Sequence, residues 1–284
     1  LSFAFLRRAA LVALALAAGA PAAAAEATAI LSSDSGHYRA ALEGFTEAWG
    51  STVPVIVVGA PIPPEARVFA VFGSKAATRE WPRDAVVVAC LASSVEAAAD
   101  DAVTHVSLLP DPEVIVARIR ALAPSLKVLR VFWSSETSRV DVEALSKAAA
   151  SRGIQVLSEK VDSPARLPHY LRALKGKADA FWLMPDPALV NADNFAVLRE
   201  YASAEKLPFF APTEGLAERG ATATIAATFR AMGRAAALSL RARMDGRSEP
   251  EIVRVRQVTV TVNATAARAA GLGPAFATAD KVLP

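Results

Sequence analysis

Val128-Leu129-Arg130-Val131-Phe132-Trp133 runs into Ser134-Ser135-Glu136, continues as an amphipathic pattern over Arg139–Arg152, and returns to an apolar run at Ile154–Ser158. A β-rich run, a polar turn, a helical stretch and a second β-rich run make one parallel crossover unit. The alternation extends in both directions. Apolar runs occur at Ala27–Leu31, Val53–Val58, Val68–Phe72, Ala85–Cys90 and Val103–Leu108 on one side, and at Ala178–Leu183 and Pro208–Ala211 on the other. Helical patterns lie between most of them, at Tyr38–Trp49, Lys75–Trp81, Pro112–Ala123, Ala165–Leu174 and Ala192–Glu205. Continuously apolar strands alternating with helices indicate parallel sheets covered on both faces. Nine such runs exceed the five or six strands of an average sheet, so an α/β fold with two parallel sheets in two lobes is expected. A longer helix is expected at Thr228–Asp245, closed by Gly246, then one strand over Glu251–Asn263 and a short helix at Ala264–Ala270.

Residues 1–25 have the pattern of a signal peptide. Arg7 and Arg8 precede an apolar stretch at Ala9–Ala20, and Ala23-Ala24-Ala25 suits cleavage before Glu26. About a dozen apolar residues are too few to cross a hydrocarbon core that needs roughly twenty. No cysteine lies near the cleavage point, so a free periplasmic product without a lipid anchor is expected. The sole cysteine, Cys90, ends an apolar run and reads as a small buried hydrophobe. The formal net charge of +3 falls to +1 without Arg7 and Arg8, which gives no reason to expect nucleic acid as a partner.

Ligands of parallel sheets collect beyond the carboxyl ends of strands, where helix N-termini present backbone N–H groups. Five junctions there are polar: Ser32-Ser33-Asp34-Ser35, Gly73-Ser74-Lys75, Ser134-Ser135-Glu136, Pro185-Asp186-Pro187 and Pro212-Thr213-Glu214. Helix capping explains any one of them, and capping coexists with ligand contact.

The order of several further pieces is similar to the periplasmic substrate-binding proteins of ABC transporters, in the branch with tryptophan- and tyrosine-binding members. The tail carries it best, from Val262-Asn263-Ala264 through Gly271-Leu272-Gly273 to Ala279-Asp280-Lys281-Val282. Glu43-Gly44-Phe45, Phe72-Gly73-Ser74-Lys75, Leu122-Ala123-Pro124, Asp179-Ala180, Leu207-Pro208-Phe209-Phe210 and Arg219-Gly220-Ala221 fit in the same order. The resemblance implies a type I periplasmic-binding fold, with two Rossmann-like lobes closing on a solute and a permease of the inner membrane reading the closed form. It implies an amino acid, aromatic by preference, as solute. The candidate ligand-binding residues are Ser33, Tyr38, Gly73, Ser74, Lys75, Ser134, Asp186, Thr213 and Glu214. Gly73-Ser74-Lys75 would take a carboxylate, Asp186 or Glu214 an ammonium, and Tyr38, Trp133 or Trp182 an aromatic ring.

The chain departs from that family where Gly59–Arg67 carries three prolines in place of a helix, which strips one face of the first lobe. Leu91-Ala92-Ser93-Ser94 and Thr104-His105 also depart, on the cleft side. The expected division is 26–104 plus 227–247 for the first lobe, and 105–226 plus 248–284 for the second. No Gly-x-Ser-x-Gly, phosphate loop or dinucleotide fingerprint is present, and His37, His105 and His169 lack metal-ligand spacing, so no enzyme, metal or cofactor is expected. A monomer binding a small molecule is the expectation. The alternative is a binding-fold protein that serves as a sensor, or as an accessory partner of another envelope or receptor protein.

Overall fold

A computed structural model describes residues 26–92, 103–173 and 176–284. The expected leader at 1–25 and the Ser93-Ser94 departure lie outside the described residues. The first sheet is built from β1 (Thr28–Leu31), β2 (Val55–Val57), β3 (Val68–Phe72), β4 (Val86–Cys90), β5 (Val103–Val106) and β11 (Ile252–Val253), in the order β11-β5-β4-β3-β1-β2, all parallel. Residues 28–31 and 68–72 are buried throughout, as strands with both faces covered must be.

One face is covered by α1 (Gly36–Trp49) and α7 (Phe229–Met244), which pack on Ala29, Leu31, Ala70, Phe72, Val88 and Cys90. The two helices approach closely at glycines. A Cβ on Gly44 would lie 1.9 Å from the Arg230 carbonyl oxygen, and one on Gly233 would lie 1.8 Å from that of Ala41. Cys90 is fully buried, and burial pushes its thiol pKa up.

The opposite face lacks the usual helix between β2 and β3, as the prolines of 59–67 dictate. It is nevertheless closed. Ile62 and Ala66 of that loop, together with Ala77 and Trp81, pack on Ile30, Phe69, Val71 and Val87. The Trp81 ring sits 5.1 Å from that of Phe69, and Arg79 donates to the Ala60 carbonyl. Trp81 therefore leaves the helical path expected over Lys75–Trp81: α2 spans only Ser74–Ala77.

The second sheet contains β6 (Val128–Trp133), β7 (Gln155–Lys160), β8 (Ala180–Leu183), β9 (Phe209–Ala211), β10 (Ala223–Ala226), β12 (Thr259–Asn263) and β13 (Lys281–Leu283), in the order β13-β12-β10-β9-β8-β6-β7. Helices α3 (Pro112–Leu122) and α4 (Glu136–Ala150) cover one face; α5 (Leu167–Arg172) and α6 (Ala192–Glu205) cover the other. β10 and β13 were not expected. Ala-Thr-Ile-Ala is a short segment in which two alanines flank two good strand formers, and burial on both faces decides its conformation.

The strand expected over Glu251–Asn263 divides between the sheets: β11 pairs with β5 in the first and β12 with β10 in the second. β12 runs antiparallel to β10, because it enters the second sheet from the first rather than from a covering helix. The chain changes sheet after Val106, after Ala226 and after Val253. Among the described residues no helix is long and apolar enough to cross a membrane.

Candidate functional site

The ends of β4 and β5, the start of β11 and the first turns of α4 enclose a cavity of about 400 Å³ between the two sheets. Ala92, His105, Ser107, Glu251 and Ile252 line it from the first sheet and its exits. Glu136, Thr137, Ser138, Val140, Asp141 and Pro185 line it from the second. It therefore lies where strand ends meet a helix start, as the parallel topology requires.

Each wall has a local cause. Ser135 caps α4, its hydroxyl accepting from the Ser138 N–H, so Glu136, Thr137 and Ser138 are the first residues past a fixed cap. β5 and β11 pair in parallel with Ile252 opposite His105, and the His105 N–H donates to the Glu251 carbonyl at 2.8 Å, which sets His105 and Glu251 side by side. Asp141 projects from the next turn of α4, and its carboxylate accepts from Arg254 at 2.5 Å across the last sheet change. Burial raises the Asp141 pKa; Arg254 and the Ser107 hydroxyl oppose that shift. Burial lowers the pKa of His105, against the pull of Glu251.

None of the residues expected from the sequence lines this cavity, although Ser134 and Asp186 stand directly behind it. Asp186 is fully buried. Its Oδ2 accepts from the backbone N–H groups of Ser134 and Ser135 at 2.8 Å each and from the Ser135 hydroxyl at 3.0 Å, and its Oδ1 accepts from the Ala188 N–H at 2.9 Å. Burial alone would raise its pKa; the bonds from Ser135, Ser134, Ser138 and Ala188 outweigh it and hold the carboxyl below its usual value. Its Oδ2 is fully engaged by these donors, and the residue does not line the cavity. Asp186 joins two strand-to-helix junctions, bonding the residues just ahead of α4.

The structure brings Tyr38 and Gly73 together beside Ser32, but not as a carboxylate site. A Cβ on Gly73 would lie 2.5 Å from both the Tyr38 hydroxyl and the Ser32 hydroxyl, so those groups already fill the space the glycine leaves. The Ala76 N–H donates to Ser32, and α2 is four residues long, too short to present a helix N-terminus to a ligand. Ser74 is half-buried; Lys75 and Ser33 are exposed. Trp182 is fully buried and cannot stack on a solute, while Trp133 carries Lys160 over its ring. Thr213 and Glu214 sit half-buried in the turn after β9, away from the lining of the cavity.

Ser107, Asp141 and Glu251 line the cavity without having stood out in the sequence, and His105, noted there as a cleft-side departure, lines it with them. His105, Ser107 and Glu251 lie next to sheet changes, which strand pairing reveals, whereas Asp141 has the look of a solvated helix face.

Residues 84–273, about two thirds of the chain, match the family described as ABC transporter substrate binding protein. The chain belongs to that family. Solved structures agree in fold. A substrate-binding protein with adhesive properties from Clostridium difficile, in its ligand-free open form, aligns at a TM-score of 0.64 and 17% identity, over 90% of this chain and 98% of that one. A domain from Streptococcus pneumoniae in complex with L-Trp aligns at 0.62 and 16%, over 91% and 99%. A conserved domain protein of Vibrio cholerae aligns at 0.60 and 19%, over 92% and 100%. No protein of curated function matches. At these identities the solved structures show the type I binding fold of this substrate-binding protein and leave its solute open. The family consists of transporter binding components rather than enzymes.

Proposed function

We propose that this substrate-binding protein captures a small organic solute in the cavity between its lobes and presents it to an ABC permease in the inner membrane. The cavity carries the reading: about 400 Å³, walled from both sheets at strand ends, is the size and place for a small ligand. On this reading the lobes are those divided in the sequence, with limits moved to the sheet changes after Val106, Ala226 and Val253. Export and a periplasmic location rest on the leader pattern at 1–25. An aromatic amino acid is supported by the resemblance and by the L-Trp bound to the pneumococcal relative. It is the first solute to test, although no Trp, Tyr or Phe stands in the cavity wall among the described residues.

The sensor or accessory reading drew on a stripped first lobe. Ile62, Ala66 and Trp81 close that face, so the observation no longer favours it.

The test is a thermal-shift and calorimetric screen of amino acids and other small metabolites, run in parallel on Val140→Trp. Val140 is 41% exposed on the cavity wall, so a tryptophan there fills the space without disturbing the core. A solute at a hundredfold excess over its Kd adds roughly 2.7 kcal/mol to the native state. A solute that stabilises the native chain and not Val140→Trp places capture in the cavity; equal stabilisation of both refutes that location.

A further inference from the structure

The walls of the cavity differ in charge from what a carboxylate-bearing solute needs. Among the described residues three carboxylates line it, those of Glu136, Asp141 and Glu251, and no lysine or arginine does. Glu136 is engaged by Lys160 at 2.5 Å and by Arg139 at 3.2 Å, and Asp141 by Arg254. Glu251 has no ion pair or side-chain hydrogen bond among the described residues. Beside it, His105 is 9% exposed, faces the cavity, and its ring nitrogens have no hydrogen-bond partner among the described residues. A nine-tenths buried imidazole with nothing to bond is a polar group waiting for a ligand.

Several backbone N–H groups near the two helix starts are already used. Asp186 takes the N–H groups of Ser134 and Ser135 at the start of α4. Asp111 takes those of Glu113 and Val114 at the start of α3. The Ser107 hydroxyl accepts from the Leu109 N–H and supports Asp141. A solute carboxylate placed here would face Glu251 and Asp141, with no lysine or arginine among the described lining residues to offset them.

We infer that the cavity takes an organic cation, an amine or amidine whose N–H groups donate to the His105 imidazole and whose charge is balanced by Glu251. The inference rests on the proposal that this cavity is the solute site. Burial keeps His105 neutral, the form that accepts a hydrogen bond from an ammonium. Glu251 supplies a carboxylate at the cavity rim, where a charge-assisted hydrogen bond is stronger than a neutral one.

Isothermal titration calorimetry on the purified protein tests it, with tryptamine, agmatine, putrescine and choline against indole-3-acetate, L-tryptophan and neutral sugars. The expected result is binding of at least one amine or guanidine, weakened tenfold or more by Glu251→Gln and by His105→Ala, and abolished by Val140→Trp. Glu251 is exposed, so its replacement leaves folding intact. Unchanged affinity of the cation in Glu251→Gln overturns the inference. So does a neutral or anionic solute that binds in a manner Val140→Trp blocks while no cation does; solute capture then stands without its cationic class. No binding by any probe overturns both.

Discussion

The backbone N–H groups at several junctions are held by Asp and Asn side chains, some of them about fifty residues away. Asp186 bonds Ser134 and Ser135, Asp179 accepts from Lys127 and Val128 at 2.8 Å each, Asp280 accepts from Val260 at 2.7 Å, and Asn263 caps the last short helix through Ala266. Several of these are the residues through which the sequence resembles its family, which makes that resemblance one of scaffold rather than of solute contacts. Replacing Asp186 by Ala orphans buried donors and is expected to cost roughly 3 kcal/mol, read as a lower denaturant midpoint. The Asp186 pKa is depressed in the folded state, so its contribution is complete above the unfolded value of about 3.9 and disappears as pH falls through the native one. The stability gap between Asp186→Asn and the native chain should therefore narrow on acidification from pH 5 downwards. Asp141 has the opposite sign: burial raises its pKa, so its own ionisation weakens the fold as pH rises, and Arg254 offsets this. A double-mutant cycle of Asp141→Asn and Arg254→Met is expected to show coupling of about 2 kcal/mol by urea unfolding. Additive single effects would refute a working pair.

At the scale of elements, the crossing of α1 and α7 depends on two hydrogens where side chains would be. Ala at Gly233 places a methyl carbon 1.8 Å from a main-chain oxygen, which flexible side-chain movement cannot relieve. A loss of about 2 kcal/mol or more is expected for Gly233→Ala, although alanine is the better helix former, and calorimetry should show the lower Tm. Glu43-Gly44-Phe45 was readable as a family piece, but the contact that demands glycine there was not, since its partner lies almost two hundred residues on. The face without a helix gives a second case. Three prolines announced the missing helix, but nothing in 59–67 announces that Trp81 would turn back over Phe69 to replace it. Trp81→Ala is expected to lose about 3 kcal/mol and to expose apolar surface to a fluorescent dye such as ANS.

Across the whole molecule, two sheets with separate cores are joined where the chain changes sheet, and two of the connecting segments run side by side. The N–H of Ser107 donates to the Val253 carbonyl at 2.9 Å, and that of Asp111 to the Val255 carbonyl at 3.0 Å. Arg254 and Arg256 bind Asp141 and Asp111, so the last segment is tied to the second lobe on both sides of the turn. Such short paired segments are where a hinge between the two sheets is expected. Saturating solute should reduce the radius of gyration in small-angle scattering, and Val140→Trp should remove the change. A fixed radius with solute bound would mean capture without closure.

Legible in the sequence alone were the α/β class, two mostly parallel sheets, nearly every helix, the missing helix between the second and third strands, and the buried thiol. Each of these follows from local periodicity, proline content or continuous apolar runs, which neighbours in the chain express directly. The tertiary structure alone decided that 251–263 is two strands in different sheets, that Ala223–Ala226 is a strand, and that the polar junction at Asp186 closes on itself. It also decided that the cavity is lined by His105, Asp141 and Glu251. Those outcomes depend on which N–H groups remain unpaired and which strand ends meet, and both are settled by partners distant in sequence.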